Sequence, residues 1–212
     1  MQLSPLRIAI LTGSTRPGRN GEAVARWVYQ LAQRRSDARF DLVDILDYEL
    51  PLLNEPLPPS AGRYTEPHTK VWAAKIASFD GYVFVTPEYN HGIPAALKNA
   101  IDFLHAEWNN KAAGFVSYGG RAGGTRAVEH LRLVLAELMV ATVRAQVALS
   151  VLYDFENQTA FKPLPHHQTD LSTMLDQLVS WAAALKSVRK PSPAIAPTAA
   201  PRGNNTPANG PA

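Results

Sequence analysis

The residue types that could do chemistry cluster first in a loop at residues 13–21, which reads Gly-Ser-Thr-Arg-Pro-Gly-Arg-Asn-Gly. Its small residues let backbone N–H groups approach an anion, and the hydroxyls of Ser14 and Thr15 can donate hydrogen bonds. A segment of helical periodicity follows directly, so the unpaired amides and positive end of a helix point to the same place. Arg16 and Arg19 add positive charge. This pattern predicts a site for the terminal phosphate of a mononucleotide.

The same loop argues against hydrolysis of a nucleoside triphosphate. Gly13 and Gly18 have the spacing of a triphosphatase loop, whose next two residues would be Lys and then Ser or Thr. Here those positions hold Arg19 and Asn20, so the lysine and the magnesium-binding hydroxyl are both missing. A phosphate monoester is the remaining interpretation. Glycine-rich turns between a strand and a helix are also common without any ligand. This loop alone is therefore weak evidence for a binding site, and a second binding feature beside it would strengthen the interpretation.

A second unusual loop occupies residues 86–94, Thr-Pro-Glu-Tyr-Asn-His-Gly-Ile-Pro. Two prolines and a glycine fix an irregular backbone there. Tyr89, Asn90 and His91 supply a flat face and hydrogen-bonding groups. The loop therefore favours a planar aromatic ligand, whose ring would lie beside the phosphate site if the two loops are neighbours.

The elements that must position these loops alternate between short apolar runs and segments of helical periodicity. We expect five strands and five helices, with a long proline-rich loop at residues 51–62. The predicted strands are residues 6–12, 40–45, 81–86, 113–118 and 143–149, and the helical stripes cover residues 24–31, 67–78, 97–104, 128–138 and 171–182.

This alternation is typical of an α/β protein with a doubly wound parallel sheet and helices on both faces. The dinucleotide-binding order prefers six strands and a Gly-x-Gly-x-x-Gly turn after the first, and the sequence offers neither. A flavodoxin-like five-stranded sheet in the order 2-1-3-4-5 is the better interpretation. In that order a crevice opens at the carboxyl ends of the first and third strands, where the two unusual loops lie.

Composition limits the classes of protein further. There are 21 Lys and Arg against 18 Asp and Glu, without a basic run, which argues against nucleic-acid and anionic-membrane partners. Cysteine is absent, and no apolar segment is typical of a signal peptide or a membrane span, so we expect a cytoplasmic protein. Residues 1–189 are predicted to form the folded domain. Residues 190–212, rich in Pro, Ala and Asn, are predicted to be a disordered tail.

Four motifs together resemble the NADPH-dependent FMN reductase family, which includes quinone, azo-dye and chromate reductases. They are Gly-Ser-Thr-Arg-Pro-Gly-Arg at 13–19, Thr-Pro-Glu-Tyr-Asn at 86–90, Ile-Pro-Ala-Ala-Leu-Lys-Asn-Ala-Ile-Asp at 93–102 and Ser-Tyr-Gly-Gly-Arg-Ala-Gly-Gly at 117–124. The resemblance spans about residues 6–185. Several motifs in the right order at three strand ends are far more specific than any one of them.

The resemblance implies that FMN is bound by residues from these loops. Some would hold its phosphate, others would line the isoalloxazine ring, and a third group would approach the ring's other edge. The implied residues are Ser14, Thr15, Arg16, Arg19, Asn20, Gly21, Glu22 and Ala23 for the phosphate, Pro87, Glu88, Tyr89 and Asn90 for the ring, and Ser117, Gly119 and Gly120 for its other edge.

The implied activity is an NAD(P)H oxidoreductase in which FMN passes hydride from NADPH or NADH to a quinone, an azo compound, free flavin or a similar acceptor. Ping-pong kinetics are expected, and no side chain is assigned a catalytic role, because the flavin carries the chemistry. A homodimer or a dimer of dimers is expected, because one subunit covers a ring at the sheet edge poorly. The alternative is a non-enzymatic electron carrier or FMN-binding regulatory module, which the nearly neutral charge disfavours.

Other polar residues are assigned bland roles. Arg121 and Arg126 are expected to be solvated or paired with Glu129, and the alternative is that they help to hold a nicotinamide dinucleotide phosphate. A structural or interface role is expected for Glu88. The pair His166-His167, with Asp170 nearby, resembles a metal-ligand cluster. No metal site is predicted, because adjacent side chains at a helix start rarely converge on one ion.

Overall fold

The computed structural model describes residues 5–189, so the expected tail at 190–212 lies outside the described residues. A five-stranded sheet has the order β2-β1-β3-β4-β5, and all four neighbouring pairs are parallel. The predicted fold class and strand order are confirmed. The strands are β1 Leu6–Thr12, β2 Ala38–Asp44, β3 Gly81–Pro87, β4 Lys111–Gly119 and β5 Val140–Ser150, and the helices are α1 Gly21–Ala32, α2 Pro67–Ala77, α3 Ala95–Asp102, α4 Thr125–Glu137 and α5 His166–Lys186.

Helices cover both faces of the sheet because alternate strand residues are apolar on both sides. In β1, Ile8 and Ile10 belong to a core shared with α1 and α5. Ala9 and Leu11 face the other way, into a core shared with α2, α3 and α4. Each βαβ crossover therefore buries one apolar helix face against the sheet.

Two tryptophans fill the second core rather than a ligand site. Trp72 and Trp108 are fully buried. The Trp72 indole N–H donates to the Ala100 carbonyl at 2.7 Å, and that of Trp108 donates to the Ile101 carbonyl at 3.1 Å. The buried N–H groups are thereby satisfied by α3, which fixes its position.

The predicted elements are present, and most of them are longer than their apolar stripes indicated. A small hairpin between β5 and α5 was not anticipated. Its strands are β6 Phe155–Glu156 and β7 Ala160–Phe161, each only two residues long. Asn157 and Gln158 turn the chain with positive φ angles of 50° and 60°. Two-residue strands carry too little alternation for a periodicity argument to detect.

The hairpin packs onto α1 through aromatic rings. Phe155 and Phe161 have centroids 5.0 Å apart, and Phe161 meets Trp27 edge-on at 5.7 Å. The buried carboxylate of Asp154 accepts hydrogen bonds from the amides of Ser150 at 2.8 Å and Leu164 at 3.0 Å. These contacts fasten the hairpin beside the start of α1.

Among residues 5–189, no helix has both the length and the hydropathy that a membrane span requires.

Candidate functional site

The candidate site lies where the loops after β1 and β3 meet. These strands are hydrogen-bonded neighbours, and Thr12 pairs with Val85 near their carboxyl ends. The loops themselves are joined by the hydroxyls of Ser14 and Tyr89, which lie 2.9 Å apart. Ser14 is only 1% exposed. The two loops that the sequence singled out therefore form one continuous surface at the switch point of the sheet.

The start of α1 is arranged to receive an anion. Its N-cap residue, Asn20, makes no side-chain capping bond. The side-chain amide of Asn20 instead donates to the Gln158 carbonyl at 3.1 Å. The first helical bond runs from the Val24 amide to the Asn20 carbonyl. The amides of the residues in between lie ahead of the helical ladder, and they add to the positive end of the helix dipole. These residues are Gly21, Glu22 and Ala23.

Tyr118 is a site residue that the sequence reasoning missed. Its hydroxyl is buried without a hydrogen-bond partner, and a Cβ built on Gly21 would lie 2.8 Å from that oxygen. Burial raises the pKa of Tyr118, so the phenol keeps its proton and remains a donor. The strand alternation within Ser-Tyr-Gly-Gly was the available signal, because it places Tyr118 on the α1 face of the sheet.

The two arginines of the first loop have different surroundings. Arg16 is exposed, and its guanidinium donates to the carbonyls of its neighbours Pro17 and Gly18. The Arg19 side chain is only 5% exposed and pairs with Asp44 at 2.5 Å and with Glu22 at 2.8 Å. Arg19 thus already has two anionic partners and holds the loop against β2, whereas Arg16 can reorient at little cost.

The second loop owes its shape to a tight turn. The amide and carbonyl of Tyr89 bond those of Gly92 in both directions, at 3.1 and 2.9 Å. The two residues between them, Asn90 and His91, have φ angles of 49° and 64°, as a type I′ turn requires. Tyr89 remains 37% exposed at the mouth of the site. The second loop is therefore a tight hairpin turn that presents the aromatic ring of Tyr89.

Glu88 is fixed on the N-terminus of α4. Its carboxylate accepts from the amides of Arg126 at 3.1 Å and Ala127 at 3.4 Å, and it pairs with the Arg126 guanidinium. Burial opposes ionisation of Glu88, but these donors outweigh it and lower its pKa. Arg126 therefore pairs with Glu88 rather than with Glu129, the partner considered from the sequence, because the loop after β3 reaches α4.

The three residues assigned to the ring's other edge divide into two groups. The buried hydroxyl of Ser117 donates to the Gly123 carbonyl at 2.7 Å and shapes the loop after β4. A Cβ on Gly119 would lie 3.0 Å from the Gly124 nitrogen, so its missing side chain makes room for that loop. A Cβ on Gly120 would meet no atom within 4 Å, and this glycine borders open space.

Taken together, these residues fit FMN. A buried hydroxyl without a partner and a helix start without a side-chain cap both face the first loop. Pro87 ends β3 beside this loop surface, and a cavity of about 310 Å³ that includes Thr15 lies next to the loop. A larger cavity of about 790 Å³ lies between α2 and Lys111, at the amino ends of the strands and away from these loops. The first loop therefore borders the smaller cavity, and the larger cavity lies at the opposite edge of the sheet.

The sheet order and the paired loops define the class of flavodoxin-like α/β proteins. Comparison with known proteins narrows this class. Residues 6–153 match the model of the family described as NADPH-dependent FMN reductase. The chain belongs to this family, which makes it an oxidoreductase and confirms the resemblance, the enzyme class and the expected pairing of FMN with NAD(P)H.

Individual relatives agree with the family assignment. The chain is 40% identical over 156 residues to an NAD(P)H-dependent FMN reductase of Schizosaccharomyces pombe, covering 73% of this chain and 77% of the relative. It is 30% identical over 184 residues to a 2-hydroxy-1,4-benzoquinone reductase of Burkholderia sp., covering 83% and 96%. Among solved structures, the flavoenzyme NAD(P)H:(acceptor) oxidoreductase FerB of Paracoccus denitrificans superposes with a TM-score of 0.65 at 20% identity, covering 84% and 98%.

Proposed function

We propose that the loops after β1 and β3 bind one FMN and that the chain is an NAD(P)H oxidoreductase acting on a small electron acceptor. The acceptor class we favour is a quinone, an azo compound, free flavin or a similar molecule. Membership in the reductase family supports the first part of the proposal. The 2-hydroxy-1,4-benzoquinone reductase among the relatives supports the second.

The phosphate end of FMN would be held by the first loop. The hydroxyls of Ser14 and Thr15 and the amides at the start of α1 are positioned to donate to it. Arg16 would supply the cation, since its guanidinium now donates to the backbone carbonyls of Pro17 and Gly18. The Tyr118 hydroxyl lies beside Gly21 at the start of α1 and would donate its unused hydrogen bond to the phosphate. Arg19 and Asn20 would contribute by keeping the loop in shape.

The ring end would lie on the second loop. Residues 87–90, Pro-Glu-Tyr-Asn, would line it, with Glu88 holding this segment against α4. Gly120 would leave room at the ring's other edge, and Ser117 and Gly119 would act indirectly by shaping the loop that carries it. We assign no proton transfer to a side chain, so the protein's contribution is position and local electrostatics.

When bound, FMN would supply the redox chemistry, which is the transfer of a hydride from NAD(P)H to the acceptor in two stages. The open surface at Tyr89 and Gly120 is where both the nicotinamide and the acceptor would stack. Because they would use the same place, one must leave before the other enters. This is the basis of the proposed ping-pong order.

A homodimer, or a dimer of dimers, would complete the pocket. Tyr89 is 37% exposed, and Leu46, in the segment after β2, is 45% exposed. A partner subunit that covered such groups would wall off the ring and exclude water. We also propose a cytoplasmic location, in keeping with the absence of cysteine from the sequence.

The observation that carries the proposal is the contact between the hydroxyls of Ser14 and Tyr89, which joins the first loop to the second. The Tyr118 hydroxyl, which has no hydrogen-bond partner, lies beside the first loop at Gly21. The direct test is anaerobic mixing of the purified, FMN-loaded protein with NADPH while the flavin absorbance is followed. We expect bleaching without acceptor, and recovery of the colour when a quinone, an azo dye or free flavin is added. A colourless protein that takes up no FMN, or a flavin that NADPH and NADH leave oxidised, would contradict the proposal.

A further inference from the structure

A cluster of potential metal ligands lies in the first turn of α5, apart from the flavin loops. His166, His167 and Asp170 each place one ligand atom within 4.8 Å of the others. The spacing explains this convergence, because residues three and four apart share one helix face. The two imidazole rings lie against each other with centroids 4.0 Å apart. The adjacent side chains of His166 and His167 were expected to diverge, but in the structure they lie together beside Asp170.

His167 supplies the observation that points to a ligand. Its side chain is only 7% exposed, and its Nε2 lies 3.1 Å from Oδ1 of the buried Asp154. A carboxylate only accepts hydrogen bonds, so Nε2 is the donor in this contact, and Nδ1 is the nitrogen that is left to coordinate an ion. That Nδ1 is buried without a hydrogen-bond partner and faces Oδ2 of Asp170 at 3.7 Å.

We infer that His166, His167 and Asp170 bind a divalent transition-metal ion of the zinc type. An imidazole that coordinates through one nitrogen while a carboxylate holds the other is the usual arrangement of such sites. Two imidazoles and a carboxylate suit zinc, and the carboxylates of Asp154 and Asp170 together balance a charge of two. His166 and Asp170 are exposed, so the ion can enter and a fourth position stays open to water.

The distances require only small adjustments. Ligand atoms of a tetrahedral zinc site lie about 3.4 Å apart, given metal–ligand bonds of about 2.1 Å. The 3.7 Å between His167 and Asp170 is near this value. Rotation of the exposed side chains of His166 and Asp170 would close the remainder while His167 stays held by Asp154.

His167 connects the proposed ion site to Asp154, at the start of the segment that carries the β6–β7 hairpin. That segment also carries Gln158, whose carbonyl accepts from Asn20 at the start of α1. The site is thus linked to the first loop through the segment that carries the hairpin. It is independent of flavin chemistry, so its test does not depend on the proposed function.

The test is calorimetric titration of Zn²⁺ into the untagged full-length protein after removal of metal with a chelator. The ligand variants are His166→Gln and Asp170→Asn, both at exposed positions. The matched controls are His130→Gln, an exposed histidine on α4, and Asp176→Asn, an exposed aspartate on α5. Melting curves without metal establish that each variant folds.

We expect the unaltered protein and both controls to bind about one Zn²⁺ per chain with a rise in melting temperature. Each ligand variant should bind at least about tenfold more weakly. Absence of binding by the unaltered protein would overturn the proposal. So would affinity that either ligand variant retains, or a loss that the controls share.

Discussion

At the scale of single residues, the first loop of the candidate site illustrates how two like charges acquire different roles. Arg19 is enclosed by Asp44 and Glu22, whereas Arg16 three residues earlier is exposed and touches only carbonyls. The sequence shows both arginines in a loop that contains no acidic residue before Glu22. It could not reveal Asp44, which reaches Arg19 only because β2 pairs with β1.

Arg16→Ala is therefore expected to weaken FMN binding about ten- to hundredfold, through the loss of a charge-assisted contact. Fluorescence titration of FMN into the flavin-free protein measures this. Arg26→Ala, an exposed arginine on α1, is the control and should bind normally. Unchanged affinity in Arg16→Ala would remove this residue from the site.

Tyr118→Phe separates the phosphate from the ring. The change removes a buried hydroxyl that has no partner, so the flavin-free protein should be as stable as before, or about 1 kcal/mol more stable. FMN affinity should fall about tenfold, while riboflavin, which lacks the phosphate, should bind as before. Thermal melts and parallel titrations of both flavins measure these effects.

The exposed Tyr153 provides the control Tyr153→Phe, which should change neither affinity. An equal loss for riboflavin and FMN would place Tyr118 at the ring rather than at the phosphate. No loss for either flavin would take its hydroxyl out of the site.

At the scale of elements, one carboxylate organises the proline-rich loop before α2. Glu55 accepts from the Thr65 amide at 2.8 Å, the Thr65 hydroxyl at 2.9 Å and the Glu66 amide at 3.1 Å. Desolvation alone would raise the pKa of Glu55, but these donors outweigh it and lower the pKa to about 2. The loop is thus anchored to the residues that immediately precede the helix.

Glu55→Gln should destabilise the protein by about 1–2 kcal/mol at pH 7, because the donors of Thr65 and Glu66 lose a charged acceptor. The folded-state pKa of Glu55, about 2, lies below its ordinary value of 4.5. Its contribution is therefore present above pH 4.5 and is lost as the pH falls towards 2. Melting temperatures of the two proteins should converge over this range, whereas Glu137→Gln, at an exposed position on α4, should differ little from the unaltered protein throughout. A constant gap across the range would be inconsistent with the role given to Glu55.

The elements also mark how far sequence reasoning reaches. The strands and helices of the sheet were predictable, because each carries several residues of one period, as Ile8 and Ile10 do in β1. The β6–β7 hairpin was not, since four strand residues carry no detectable period. The loops of the site were predictable as loops from Gly and Pro. The partners of their side chains, such as Glu88 for Arg126, depend on tertiary packing that no local pattern encodes.

At the scale of the whole molecule, the two edges of the sheet have different roles. The carboxyl edge carries the two loops of the candidate site, and the amino edge carries a charge cluster around Asp80. The Asp80 carboxylate accepts from the Arg7 amide at 2.9 Å and from Lys186 at 3.0 Å, and it pairs with Arg189. This cluster fastens the end of α5 to the sheet, so the packed unit reaches Arg189.

Truncation after Arg189 is expected to leave the melting temperature and NADPH turnover unchanged. The removed residues, 190–212, contain no aromatic residue and have little apolar content with which to form a core. A further truncation that also removes Arg189 serves as the contrast, because it deletes a partner of Asp80 and should lower the melting temperature. A loss of stability or turnover in the first truncation would show that residues 190–212 contribute to the folded unit.

The central claim is that one FMN lies across two neighbouring loops, and a crystal structure of the protein soaked with FMN tests it most directly. We predict density for the phosphate at the start of α1, between Ser14 and Arg16 and within reach of the Tyr118 hydroxyl, and for the ring against residues 87–90. An FMN bound elsewhere on the chain, or loops that stay empty at saturating FMN, would contradict the account.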